Sequence, residues 1–275
     1  MPPKMKYGLI GNPIDESPSP LMHNAAFEAM SMNAEYMLRA TSPEDAEAVC
    51  SEIQYGKWLG LNVTTPMKTV MASMVTLEGH AKRAGAVNTL WRYGADIHGA
   101  LTDVDGIMKP LQQRNIVPGG HGLILGAGGA ARAAAIALDE LGQHVHVAAR
   151  NPDKAREFLN SIKVEHPGES MALSNQTQLS AALSQASVII QATPIGKTGD
   201  KHELDWSGVK AETIAFEMVY KPKQTPFLAD AEKAGCRIVE GWEMLLFQGA
   251  AALKIWTGRD APVDAMKKAL TDSLK

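Results

Sequence analysis

Cysteine is nearly absent: the 275 residues contain two, Cys50 and Cys236, far apart and in no paired spacing. A disulfide framework and a cysteine-based zinc site are therefore excluded, both residues read as ordinary thiols, and no metal is expected. Long apolar runs are absent too. Nothing approaches the roughly 20 residues that span a bilayer, and Tyr7-Gly8-Leu9-Ile10-Gly11 after Met1–Lys6 is too short for a signal-peptide core. No membrane partner is expected, and the cytoplasm is the expected location. Charge of one sign is also missing, because 27 Lys and Arg stand against 30 Asp and Glu for a net charge of -3. No basic block interleaves with the sparse aromatics, so the electrostatic footprint of a nucleic-acid binder is not there. Repeats and low-complexity segments do not occur. What remains is ordinary globular composition, 45% hydrophobic and 21% charged, on a chain long enough for two compact domains.

Hydrophobic patterning supplies the order of elements. Lys6 to Ile10 reads as a strand, and Ser19-Pro20 opens a helix to about Met30 with a capping hydroxyl and a first-turn proline. Apolar runs at Tyr36–Ala40, Trp58–Val63 and Val87–Trp91 read as strands, with helical stretches at 43–53 and 66–75 between them, which predicts an α/β domain. A helix from Asp103 to about Gln113 precedes a break at Pro118-Gly119-Gly120, where the residues alone suggest a domain boundary. The second half is more regular. Strands are predicted at 122–125, 145–149, 188–191, 213–218 and 237–239, separated by helical segments, in the pattern of a Rossmann-type doubly wound parallel sheet. After Gly241 a long apolar helix, Trp242–Trp256, and a final helix near 262–270 close the chain.

The turn between the first strand of that second half and its alanine-rich helix reads Gly126-Ala127-Gly128-Gly129-Ala130. Glycines there let backbone amides at a helix start approach a diphosphate, although tight strand-to-helix turns also use glycine for conformational reasons alone. Context favours a dinucleotide. The next strand ends in Ala149-Arg150-Asn151, followed by Lys154, where an NAD-specific protein carries an acid for the ribose hydroxyls. Two bases in place of the acid predict NADP (NADPH) as cofactor.

Polar clusters gather at predicted element ends in the first domain: Ser17-Pro18-Ser19-Pro20, Asn62 to Lys68, Asn88-Thr89 and Thr102-Asp103. Hydroxyls, an amide, an ammonium and a carboxylate in one cleft suit a small cyclic polyol carboxylic acid. Taken singly, each has a plain structural role: Ser19 as a helix cap, Lys68 as a first-turn surface lysine, Asn88 in a turn, Asp103 as a cap.

Taken in order, Gly11-Asn12-Pro13-Ile14, Ser17 to Pro20, His23-Asn24, Asn62 to Lys68, Ala84 to Thr89, the glycine turn, Ala192-Thr193-Pro194-Ile195-Gly196, Tyr220-Lys221-Pro222 and Gln248 resemble the motifs of the shikimate dehydrogenase family across nearly the whole chain. The resemblance implies NADPH-dependent reversible reduction of 3-dehydroshikimate to shikimate, in the chorismate pathway of aromatic amino acid biosynthesis. Lys68 and Asp103 would be the catalytic pair. Ser17 and Ser19 would take the substrate carboxylate, and Thr64, Asn88, Tyr220 and Gln248 the ring oxygens. Gly126, Ala127, Gly128, Gly129, Ala130, Arg150, Asn151, Lys154, Thr193, Met218 and Gly241 would hold the cofactor. The family fold makes the substrate domain discontinuous, 1–107 plus 241–275, around a cofactor domain at 108–240, in a monomer or homodimer.

Several residues depart from the family pattern. Leu101-Thr102-Asp103-Val104-Asp105-Gly106 replaces a usual Asn-Thr-Asp-Gly, which leaves Asp105 as a competitor of Asp103. Glu16 stands where histidine is common, Glu217 where aspartate is usual, and Lys197 where methionine often follows the glycine. Quinate or an analogue is therefore an alternative substrate, a folate-type dehydrogenase is a weaker one, and an NADP-sensing regulatory protein is the non-enzymatic rival.

Overall fold

The computed structural model describes residues 2–274, which divide into two compact units, Met1–Asp105 with Leu246–Lys275 and Gly106–Leu245. The elements of the first stretch are β1 (Met5–Gly11), α1 (Ser19–Ala29), β2 (Ala34–Ala40), a 3-10 turn (Pro43–Asp45), α2 (Ala46–Gln54), β3 (Gly60–Val63), α3 (Met67–Ala72), β4 (Thr76–Leu77), α4 (His80–Ala84), β5 (Thr89–Tyr93), β6 (Asp96–Ala100) and α5 (Asp103–Gln113). Next come β7 (His121–Leu125), α6 (Gly129–Glu140), β8 (His144–Ala149), α7 (Pro152–Ser161), β9 (Pro167–Ala172), α8 (Gln176–Gln185), β10 (Val188–Gln191), β11 (Ile214–Glu217), α9 (Pro226–Lys233) and β12 (Arg237–Val239). The chain closes with α10 (Gly241–Thr257) and α11 (Val263–Ser273).

In the first unit the sheet order is β2-β1-β3-β5-β6-β4. β1 pairs in parallel with β2 and β3, whereas β5 runs antiparallel to both β3 and β6. The regular strand–helix alternation expected from the apolar runs therefore fails after β3. Thr89 to Ala100 is instead a hairpin whose turn contains Gly94 in the left-handed region, at φ 63°. The expected helix over 66–75 is only the six residues of α3. Trp256, near the end of α10, lies against β3 so closely that a Cβ on Gly60 would collide with its indole ring, whose nitrogen donates to the Leu90 carbonyl at 3.1 Å. That contact ties the last helices to this sheet.

The second unit contains an all-parallel sheet ordered β12-β11-β10-β7-β8-β9, with sequence direction reversing between β7 and β10. This is the doubly wound order, and ligands bind such sheets at the strand carboxyl ends beside the reversal. Fully buried Leu125, Ala148 and Ile189 read as continuous apolar runs because helices cover both faces. Nothing in the sequence signals β9. Its residues, Pro-Gly-Glu-Ser-Met-Ala, form an edge strand in which exposed and part-buried positions alternate before the single buried Met171, so it carries no apolar run. The break at Pro118–Gly120 is a turn inside this unit, where the Gly119 amide donates to the Gly142 carbonyl at 2.8 Å.

Candidate active site

The ends of β1 and β3 lie side by side, and a Cβ on Gly11 would come within 2.5 Å of Thr64. The polar residues following each strand consequently share one end of the first sheet. Ser17 and Ser19 are neighbours there, the Ser17 hydroxyl donating to Ser19 Oγ at 3.1 Å. Ser19 is not the helix cap: Pro18 occupies the N-cap position of α1 with no side-chain cap bond, and the Ser17 hydroxyl accepts from the Ser19 amide at 3.3 Å. Thr64, whose amide donates to the Ile10 carbonyl at 2.9 Å, is half-buried.

Lys68, in the first turn of α3, reaches Asp103 in the first turn of α5, with Nζ 2.5 Å from Oδ2. Asp103 is 7% exposed. Its other oxygen accepts from Asn88 Nδ2 at 2.9 Å, and the second hydrogen of that amide goes to Gln248 Oε1 at 3.1 Å. Asn88 Oδ1 in turn accepts from the Thr102 amide at 2.6 Å. All hydrogen-bonding atoms of the Asn88 side chain are therefore used, which holds Asp103, Thr102 and Gln248 in one geometry.

Behind this layer lies a second one to which the motifs give no role. Asn62 donates to the Asn88 carbonyl at 3.1 Å and to Thr89 Oγ1 at 3.2 Å, while Tyr36 donates its hydroxyl to Asn62 Oδ1 at 2.8 Å. Burial holds the Tyr36 phenol well above its ordinary range. The signal available in the sequence is an asparagine inside an apolar strand, Gly60–Val63. Asp105, one of the two carboxylates left open by the motif, is exposed on α5.

In the second unit the glycine turn follows β7. Gly126 takes φ 112°, and a Cβ there would strike Thr193 at 2.8 Å, so this position requires glycine. At Gly128 and Gly129 a Cβ would meet nothing within 4 Å. The N-terminus of the 12-residue α6 has no side-chain cap and no acid in its first turn. Free amides at a helix start, bare of side chains, fit a diphosphate. Arg150 follows β8 at the exposed surface. Asn151 caps α7 by accepting from the Lys154 amide at 3.1 Å, which leaves its own NH₂ group to donate elsewhere. The residues present thus fit a dinucleotide carrying a further phosphate.

Gly241 packs against the Met218–Tyr220 turn so tightly that a Cβ would overlap the Val219 carbonyl oxygen. Glu217, at the end of β11, fixes the same turn from inside. Its fully buried carboxylate accepts from the Val219 amide at 2.8 Å and from Thr225 Oγ1 at 2.7 Å. Burial pushes its carboxyl up to about 7, against the smaller opposing effect of those hydrogen bonds. The sequence marks Glu217 only as a departure from pattern. Its anchoring role depends on Thr225, eight residues on, and is not legible there.

Residues 9–90 match the family model described as the shikimate dehydrogenase substrate binding domain, and residues 241–271 match the shikimate 5'-dehydrogenase C-terminal domain. Shikimate dehydrogenase (NADP(+)) of Synechocystis sp. is 37% identical over 276 residues, covering 98% of this chain and 95% of the relative. Among solved structures, shikimate 5-dehydrogenase from Thermus thermophilus in complex with NADP(H) and shikimate has a TM-score of 0.86 at 29% identity, covering 98% of this chain and 100% of that one. The ligand-free 5-ketofructose reductase of Gluconobacter sp. strain CHM43 has a TM-score of 0.91 at 27% identity, covering 98% of each chain. With 37% identity to the Synechocystis enzyme over almost its full length, the chain belongs to the shikimate dehydrogenase family.

Proposed function

We propose that this protein is an NADP-dependent oxidoreductase that reversibly reduces 3-dehydroshikimate to shikimate, with Lys68 and Asp103 as the catalytic pair. The observation that carries the reading is the Lys68–Asp103 contact, held from behind by the saturated amide of Asn88. When bound, NADPH supplies the hydride. Lys68 gives a proton to the substrate carbonyl oxygen as negative charge develops on it, and takes one from the hydroxyl in the oxidative direction. Asp103 keeps the Lys68 ammonium in line, and Asn88 keeps Asp103 from turning away.

Ser17 and Ser19 donate to the substrate carboxylate, a role supported by the adjacency of their hydroxyls and by Ser19's freedom from capping. Thr64, Asn88, Tyr220 and Gln248 contact the ring oxygens. Gly126 to Ala130 receive the diphosphate at the start of α6. Arg150, Asn151 and Lys154 receive the 2'-phosphate, while Thr193, Met218 and Gly241 flank the remainder of the dinucleotide. Residues 1–107 with 241–275 form the substrate domain in this reading, and 108–240 the cofactor domain. The activity belongs to aromatic amino acid biosynthesis, through chorismate.

Steady-state rates on shikimate, quinate and 5-ketofructose with NADP and NAD, each in its reactive direction, test the reading. The expected result is the greatest kcat/KM for shikimate with NADP. Greater efficiency on quinate or 5-ketofructose would replace the substrate, and a silent panel despite tight NADPH binding would point to a cofactor sensor.

A further inference from the structure

The second unit has a cavity of about 350 Å³ at the carboxyl ends of β8 and β9, of whose lining the sequence singles out only Arg150. Its lining includes Arg150, which follows β8, and Ser174 and Gln176, which follow β9. Lys201, His202 and Glu203 enter from the connection between β10 and β11, and leucine side chains contribute apolar lining. Two cations, an imidazole and one carboxylate therefore line a space of nucleoside size.

The connection is tied to the glycine turn. Thr193 Oγ1 donates to Gln191 Oε1 at 2.8 Å, so its contact with His202 Nε2 at 3.1 Å makes that nitrogen the donor. Burial lowers the His202 pKa and favours this neutral form. The methyl group of the same threonine abuts Gly126. Farther along, Asp200 Oδ1 accepts from the Gly196 amide and from Thr198 Oγ1, both at 3.0 Å, which orders the loop just before Lys201. Lys201 itself has a surface partner, Asp230, at 3.5 Å, with its side chain 58% exposed. Such a pair contributes little, and a flexible four-carbon stem can exchange it for a stronger anion.

In a doubly wound sheet the dinucleotide crosses the strand ends from the reversal point, so its adenosine half lies over the second and third strands, here β8 and β9. We infer that Lys201 is a further reader of the ribose 2'-phosphate, besides Arg150, Asn151 and Lys154, carried to the cavity that Arg150 lines by the loop that His202 anchors to the glycine turn. The inference rests on the NADP reading above. A 2'-phosphate carries between one and two negative charges at neutral pH, and of the residues already assigned to it only Arg150 lines this cavity. Lys201 adds a second cation to that lining.

The test uses the whole protein with 2',5'-ADP and 5'-AMP as probes, titrated by calorimetry against the parent, Arg150→Ala, Lys201→Ala and Lys201→Arg. The expected result is an affinity for 2',5'-ADP about tenfold lower in Lys201→Ala and restored in Lys201→Arg, with 5'-AMP affinity changed less than twofold in either. If Arg150→Ala weakens 2',5'-ADP selectively while Lys201→Ala does not, Lys201 is not a reader and the inference falls. If Lys201→Ala weakens both probes alike, the loop shapes the cavity without reading the phosphate, and the inference falls as well. If the parent itself prefers 2',5'-ADP no better than 5'-AMP, the NADP reading fails first.

Discussion

Asn88 and Asp103, fifteen residues apart, are joined by a buried hydrogen bond of 2.9 Å that commits one carboxylate oxygen to the asparagine and leaves the other to Lys68. The ion pair is thus part of a network reaching to Gln248, and its parts can be removed separately.

Replacing Lys68 with alanine removes the proposed proton donor and no core contact. Turnover is expected to fall by about 10²–10⁴-fold, the usual contribution of a positioned acid–base group, while NADPH binding followed by fluorescence stays within twofold. Near-normal turnover would remove Lys68 from the mechanism.

Asn88→Ala leaves the Thr102 amide and one Asp103 oxygen without their partner in a site where Asn88 is 2% exposed. Each orphaned buried group costs about 1–3 kcal/mol, so urea unfolding should show a loss of roughly 2–6 kcal/mol. Turnover should fall with it even under conditions where the variant is fully folded. A loss below half a kilocalorie would mean that water replaces the amide.

Glu217 has a pKa of about 7 in the fold, above the ordinary 4.5. A raised acid binds its proton more tightly when folded, so its ionisation costs stability increasingly as pH rises from 4.5 through 7. The cost at pH 8 is on the order of 3 kcal/mol, from about 1.4 kcal/mol per pH unit. Glu217→Gln cannot ionise. Its Tm relative to the parent should therefore rise between pH 5 and pH 8, and parallel Tm curves for the two proteins over that range would contradict the assignment.

His23 behaves in the opposite sense. The ring is fully buried, stacked on Tyr36 with centroids 4.4 Å apart, and neither nitrogen has a hydrogen-bonding partner among the described residues. Burial lowers its pKa from 6.5 to about 3. The neutral ring is favoured in the fold, so stability is intact above 6.5 and declines as pH falls toward 3. Between pH 6.5 and 5 the loss attributable to His23 is about 2 kcal/mol. His23→Phe should flatten that part of the stability profile in chemical denaturation, and an unchanged profile would show that the imidazole is not the group responsible.

Much of this protein is legible before any fold is drawn. Gly126-Ala127-Gly128-Gly129 between an apolar strand and an alanine-rich helix, with Arg150 ending the next strand, announces the cofactor half because those signals are local. The helix of Asp103–Gln113 and the long helix after Gly241 are legible for the same reason. β9 and the β5–β6 hairpin are not, since an exposed edge strand carries no apolar run and a pairing direction is not written in either partner alone.

The site divides in the same way. Residue order is enough to say which chemistry is available: a lysine after Thr64-Thr65-Pro66, two carboxylates at 103 and 105, an asparagine at 88. The choice between the carboxylates belongs to the fold. Residues two apart on a helix point about 200° away from each other, so α5 can turn one toward Lys68 and must turn the other away. Asn88, held on the end of the first sheet and saturated by Thr102 and Gln248, fixes which side is inward, and that side carries Asp103.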